Sequence, residues 1–322
     1  MKNILITGVN GFAGQAVLKR LKDMDVFVRG AIRDVSMHAT HAPFRPNELV
    51  AVGDIGPDTD WSCALAGVDA VVHLAGKAHT VNGGKDQARE FYRVNTQGTE
   101  RLCKMAASSG VRLFIYVSTV KVHGETSAFR PFSEKDIPAP VGDYATSKLR
   151  AEQCVHAVTA GSGMKAVILR PPMIYGPGVK GNMSRLVRLI DMGVPLPLSS
   201  VRNRRSLLNV SNFADLVARL IGRPISETNT FLVSDGQDLS TQELVRLLAK
   251  ALGKKARLFP CSPNTIRSVA GLLKRRDDAE RVIGSLVIDS SLIRKELNWT
   301  PPYSVWSGLQ DTAAWHTNQK RK

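Results

Sequence analysis

Tyr144 and Lys148, in the stretch DYATSK, stand four positions apart. On a helix that spacing puts both on one face, an ammonium beside a phenol. A free phenol titrates at about 10, too high for a base at neutral pH unless nearby positive charge favours phenolate. With it, the pair can take a proton from an alcohol, or return one, as the carbon exchanges hydride. The match alone is weak, because five tyrosines and many lysines in 322 residues produce such spacings by accident. It needs a nucleotide turn upstream, a third polar residue aimed at the same point, and a place for a substrate.

The turn is present. ILITGVNGFAG places Gly8, Gly11 and Gly14 directly after an apolar strand and at the start of a helical pattern. Such glycines allow a tight turn and close backbone approach to a pyrophosphate held at the helix N-terminus. An acidic residue at the end of the second strand would bind the ribose of NAD. Here Arg33 stands first, with Asp34 next to it. Arg33 suits a 2′-phosphate as a permanently charged fork, so NADP(H) is favoured; Asp34 keeps NAD(H) open. Asp54 and Ile55 can meet the adenine amino group and ring face, although a turn residue is an equal reading of Asp54.

These residues sit in a regular frame. Apolar runs at 3–7, 26–32, 49–53, 70–74, 113–119 and 166–170 alternate with helical segments. That order predicts an α/β fold, a doubly wound parallel sheet of the Rossmann type, with its ligand crevice at the carboxyl ends of the strands. After Arg170 the regularity fades into loops and short elements, predicting a smaller α+β lobe. The expected domains are a nucleotide-binding domain over 1–170, a substrate lobe over 171–316 and a basic, disordered tail over 317–322. STQE at 240–243 predicts a helix opened by a capping box.

The net charge is +16. Residues 1–170 hold 21 Lys and Arg against 16 Asp and Glu, and residues 171–322 hold 23 against 12. The excess in the second half suits a solvated basic surface or an anionic small substrate. Nucleic acid is not expected, since no stacking aromatics alternate with the basic residues. Four scattered cysteines suit reduced thiols, and seven histidines form no ligand spacing, so no metal is expected. Without an export signal or a long apolar run, the expected location is cytoplasmic, with no integral membrane association.

The motifs TGVNGFAG (7–14), GDI (53–55), HLAG (73–76), VNTQGT (94–99), YVSTVKVHG (116–124), YATSK (144–148) and RPPMIYGPG (170–178) occur in this order. Together they resemble the extended short-chain dehydrogenase/reductases, a family of nucleotide-sugar epimerases, dehydratases and reductases, over nearly the whole chain. The resemblance implies Tyr144 as the catalytic acid–base, Lys148 as its partner and a nicotinamide-ribose ligand, and Thr119 as the catalytic hydroxyl, with Ser118 just before it. It further implies Phe12, Leu74, Ala75 and Tyr175 at the cofactor, and Asn95 as a structural tie. Lys77, His79 and Thr80 would line the sugar pocket. Asn182, Arg205 and, by a looser match, Arg281 would bind the diphosphate of a UDP-linked sugar. His123 replaces the family's usual tyrosine, a structural variation, and His73 reads as a satisfied strand-end residue.

Two departures narrow the chemistry. Met173 stands where many epimerases and dehydratases have Asn, and it cannot make that side chain's polar contacts. Val120 and Lys121 follow Thr119 where 4,6-dehydratases have an acidic pair, so the dehydratase reading is rejected. The first reading is an NADP(H)-dependent 4-ketoreductase of a UDP-4-keto-6-deoxy-N-acetylhexosamine in surface polysaccharide synthesis. The alternatives are a UDP-hexose 4-epimerase with tightly bound NAD, and a non-catalytic NAD(P) sensor. A homodimer through the helix that starts near Tyr144 is expected from the family.

Overall fold

The computed structural model describes residues 1–34, 43–78, 85–127, 130–273 and 276–320. Its strands are β1 (Lys2–Thr7), β2 (Val26–Ile32), β3 (Glu48–Ala51), β4 (Ala70–His73), β5 (Leu113–Val117), β6 (Lys165–Arg170), β7 (Met173–Tyr175), β8 (Leu207–Asn209) and β9 (Asn229–Leu232). The helices are α1 (Phe12–Leu21), α2 (Ser62–Leu65), α3 (Lys85–Phe91), α4 (Gly98–Ser108), α5 (Gly142–Ala160) and α6 (Gly181–Asp191). They continue with α7 (Val210–Gly222), α8 (Thr241–Ala251), α9 (Pro263–Leu272), α10 (Arg276–Ile283), α11 (Ser291–Leu297) and α12 (Val305–Lys320).

Seven strands pair in parallel in the order β3-β2-β1-β4-β5-β6-β9. Helices cover both faces, so the central strands lack the alternation of a half-exposed sheet. Ile4, Leu5 and Ile6 of β1, Phe114, Ile115 and Tyr116 of β5, and Ala166 to Leu169 of β6 are fully buried. Chain order reverses between β1 and β4, which opens the crevice beyond Thr7 and His73. The expected parallel doubly wound sheet is the one observed.

The chain forms two compact units whose segments interleave. The first holds Met1–Gly124, Glu134–Pro171 and Phe213–Leu232; the second holds Glu125–Ser133, Pro172–Asn212 and Val233–Lys322. One crossing, at Pro171, lies beside the sequence boundary at 170. The return of Phe213–Leu232 to add β9 had no counterpart in the sequence reading. This edge strand has four residues, of which only Phe231 and Leu232 are buried. The second unit contains the two-stranded parallel pair β7–β8 and helix α8, whose Ser240–Glu243 capping box forms as expected. The tail differs from expectation: α12 runs on through Lys320, so Asn318 to Lys320 are helical.

Two polar ties set the crevice in the first unit. Thr7 of β1 accepts from the Ala75 amide at 3.1 Å and lies 2.7 Å from His73 Nδ1; His73 Nε2 lies 2.9 Å from Thr99 of α4. The neutral ring donates through one of these nitrogens and accepts through the other. His73 is the satisfied strand-end histidine expected. The second tie is a π-helical stretch, Tyr92–Gln97, between α3 and α4, where one continuous helical pattern was expected. It turns Asn95 and Thr96 onto α5: Asn95 Nδ2 donates to Ser147 Oγ at 3.1 Å and Thr96 Oγ1 to the Ser147 carbonyl at 2.9 Å.

Burial, with the Lys148 ammonium second, pushes His73 down to about 3, and burial together with Arg170 pushes His123 down to about 4. Both are neutral when folded and bind protons near pH 6.5 when unfolded, so the unfolded chain holds more protons below that pH. Their contribution is full above pH 6.5 and is lost as pH falls towards 4. Stability should fall by up to about 2.7 kcal/mol per pH unit over that range, about 1.4 for each histidine. Urea midpoints between pH 7 and 5 check this, and a flat profile would contradict it.

Candidate active site

The turn after β1 is built by backbone packed on backbone. Gly8 has φ +69°, and a Cβ there would lie 2.9 Å from the Ala75 amide nitrogen. The Gly11 amide donates to the Gly8 carbonyl at 2.9 Å, and a Cβ on Gly14 would overlap that same oxygen. Gly11 caps α1 without a side-chain bond, and the first turn carries no acidic residue to compete with a bound anion. This cradle, with Phe12 opening α1 and Leu74 and Ala75 at the end of β4, fits a dinucleotide pyrophosphate.

Arg33 and Asp54, at the ends of β2 and β3, form an exposed ion pair at 2.7 Å. At this exposure the pair is worth no more than about 1 kcal/mol. Arg33 is thus partnered within the protein, whereas the sequence reading reserved it for a 2′-phosphate. The Asp54 carbonyl accepts from Thr59, which fixes the turn, and Ile55 packs on the sheet core beside Gly98.

On α5, Tyr144 packs edge-on against Phe91, ring centroids 5.8 Å apart. One turn on, Lys148 is 5% exposed, with Nζ 4.2 Å from the Tyr116 ring centroid. Burial pushes its ammonium down to about 7, against the pull of Glu152. Burial also pushes the Tyr144 phenol up to about 12. Phenolate was expected to be favoured, but in the protein alone desolvation dominates, and Lys148 does not reverse it. A proton leaves Tyr144 at neutral pH only when further positive charge is nearby.

Thr119 and Ser118 follow β5, held against β6 by bonds from the Ser118 amide to Leu169 (2.8 Å) and the Val120 amide to Pro171 (2.9 Å). The 3₁₀ turn Val120–Val122 packs on α5. Thr119 caps this turn, accepting from the Lys121 amide at 3.3 Å. Ser118 is 4% exposed, and its hydroxyl oxygen has no hydrogen-bond partner among the described residues. Of the two hydroxyls Ser118 has the freer one, which the strand-end pattern could not reveal. Asn95 holds the Lys77 backbone by two bonds, 2.8 and 3.0 Å, while Lys77 Nζ pairs with Glu90 at 3.0 Å. His79 and Thr80 lie outside the described residues.

The remaining candidates belong to the second unit. Tyr175, expected at the cofactor, is fully buried, and its hydroxyl donates to Asp235 at 2.9 Å. Its ring packs against Gly308, where a Cβ would lie 3.0 Å from it, so it is a core residue with no face for a ligand. Met173 shares strand β7 with it. Asn182 is exposed in the first turn of α6. Arg205 is half-buried and donates to the Gly284 carbonyl at 2.9 Å. Burial depresses its guanidinium, Glu125 opposes that, and the Arg281 charge adds to it. Arg281 lies 3.5 Å from Asp278 on α10. Among the described residues, no group of three or more His, Cys, Asp or Glu side chains is arranged to hold a metal ion.

Residues 4–233 match the model of the NAD dependent epimerase/dehydratase family. A UDP-glucose 4-epimerase of Vibrio cholerae is 39% identical over 317 residues, covering 97% of this chain and 94% of that one. The chain therefore belongs to this family of enzymes acting on nucleotide sugars. UDP-N-acetylglucosamine 4-epimerase from Bacillus cereus has the same fold at TM-score 0.79 and 22% identity, covering 99% of this chain and 100% of that one. MoeE5, solved with UDP-glucuronic acid and NAD, matches at TM-score 0.79 and 22% identity, covering 98% and 99%.

Replacing Gly8 with Ala puts a side chain into a left-handed backbone and against Ala75. It should weaken NAD binding at least tenfold, or about 1.4 kcal/mol, measured by calorimetry on protein whose fold circular dichroism has verified.

Proposed function

We propose that this protein is a 4-epimerase of a UDP-linked hexose or N-acetylhexosamine that works with bound NAD. The observation that carries this reading is the 39% identity to the Vibrio cholerae UDP-glucose 4-epimerase across nearly both whole chains. It favours the epimerase over the 4-ketoreductase that the sequence alone put first, for which the relatives give no specific support. NAD is proposed over NADP(H) because the matching family is the NAD dependent one and MoeE5, of the same fold, was solved with NAD; the exposed Arg33–Asp54 pair is too weak to decide the choice.

Tyr144 is the acid–base, taking the proton of the sugar 4-hydroxyl and returning it after inversion. Its proton affinity when buried suits the return step, and a neighbouring positive charge is what permits the first. NAD in the Gly8–Gly14 cradle would supply the hydride acceptor and, when oxidised, that charge. Lys148 keeps an ammonium beside the phenol, and Ser118 or Thr119 orients the oxygen at C4. Arg205 and Arg281, with Asn182, are the proposed diphosphate ligands. No helix among the described residues is long and apolar enough to cross a membrane. A cytoplasmic homodimer is proposed, paired through a groove lined by Tyr92, Glu100, Lys104, Arg150 and Cys154.

The purified protein should carry NAD and interconvert UDP-glucose with UDP-galactose, or their N-acetyl forms, without added reductant. Replacing Tyr144 with Phe should lower the rate by about 10²–10⁴-fold while UDP binding is retained. NADPH consumed in step with a UDP-4-keto sugar, and no bound NAD, would instead establish the ketoreductase.

A further inference from the structure

Behind Lys148 the first unit buries a chain of charged groups. Tyr144, Lys148 and Glu152 stand at successive four-residue steps on α5. Glu152 is 1% exposed and Arg170, the last residue of β6, is 7% exposed. Arg170 Nε donates to the two Glu152 oxygens at 3.1 and 3.2 Å, and Nη2 donates to Oε2 at 2.5 Å. Its Nη1 donates to His123 Nε2 at 2.8 Å, so the imidazole is neutral with its own proton on Nδ1.

We propose that Glu152 and Arg170, the latter braced by His123, are positioning residues that keep Lys148 an ammonium and hold it in line with the strand end bearing Ser118 and Thr119. The proposal deepens the epimerase reading and rests on it for the consequence to activity, though not for the state of Lys148. Both parts follow from geometry. The Arg170–Glu152 pair ties β6 to α5, and β6 is the strand to which Ser118 and Val120 are bonded on either side of Thr119. The same pair leaves a carboxylate one helical turn from Lys148.

The surroundings show why that carboxylate matters. Lys148 faces Tyr144 and Glu152 from its own helix, the Tyr116 ring from β5 and neutral His73 from β4. Glu152 is therefore the negative charge in this set, and Arg170 moderates it from β6. An ammonium taken out of water with no such partner gives up its proton. His123 gives Nη1 an acceptor without adding charge.

The test compares Glu152→Gln with the double variant Glu152→Leu/Arg170→Met. The single change leaves the Arg170 charge buried without its counter-ion, which destabilises the chain. The double change removes both charges, a replacement that buried pairs tolerate well, so it keeps the test open if the single variant does not fold. Lys148 is followed by NMR of protein carrying ¹³C at lysine Cε, with Lys148→Arg identifying its signal. The wild-type titration midpoint is expected near 7. In Glu152→Gln it should fall by about one pH unit or more. In the double variant it should fall less, because the opposing charge of Arg170 leaves as well.

Activity should follow the same sign. Cationic Lys148 is lost as pH rises, so the alkaline limb of the rate profile should move to lower pH in the same order. Folded Glu152→Gln or double-variant protein with an unchanged Lys148 midpoint would overturn the proposal. A shifted midpoint in a wild-type protein that does not epimerise UDP-sugars would leave this inference standing and remove the functional reading.

Discussion

An ammonium held out of water between a helix and a sheet is the constraint on which the first unit depends. Lys148 is 5% exposed and sits over the Tyr116 ring, and its own burial works against its charge. A cation over an aromatic face gains about 2 kcal/mol when desolvated, less than the cost of full burial. The balance comes from Glu152, which is bonded to Arg170, and Arg170 is placed by β6. The charge on one lysine is thus tied to the pairing of a strand. This explains why a salt bridge that could give way to apolar packing without loss of stability stands behind the site.

The nucleotide end obeys a different constraint, one of volume. Gly8, Gly14 and Ala75 bring three backbone segments so close that a single Cβ would separate β1 from β4 or α1. Thr7 and His73 fix the same junction from inside, with both ring nitrogens of His73 paired. A buried network of this kind is stable only when fully satisfied. The crevice is therefore rigid where a pyrophosphate would lie. The Lys77 backbone beyond it is held instead by two bonds to Asn95, and its ammonium by Glu90.

What the sequence revealed and what it concealed follow from the range of the interactions. The buried strands were legible because a parallel sheet covered on both faces requires continuous apolar runs. The glycine turn and the Tyr144–Lys148 spacing were legible because both are local. The π-helical stretch was not, since Tyr92–Gln97 keeps the composition of an ordinary helix and departs from one only to bring Asn95 and Thr96 onto α5. Tyr175 was misplaced for a related reason. Its motif position suggested a cofactor contact, but Asp235, sixty residues on, takes its hydroxyl into the core. The Arg33–Asp54 pair and the Glu152–Arg170 pair join separate elements, and no spacing in the chain announces them. His123 looked like a neutral substitution for a tyrosine, yet its acceptor nitrogen completes the coordination of Arg170.

The charge excess of the second half gains a physical meaning from Arg205. A guanidinium that is half-buried, bonded to a backbone carbonyl and within the field of a second arginine is held at an electrostatic cost. Glu125 offsets part of that cost. The second unit fixes the Arg205 backbone by bridges to Leu239 and Leu286, and the Gly284 carbonyl holds its guanidinium, so the charge is placed by the fold and is not left to swing in solvent.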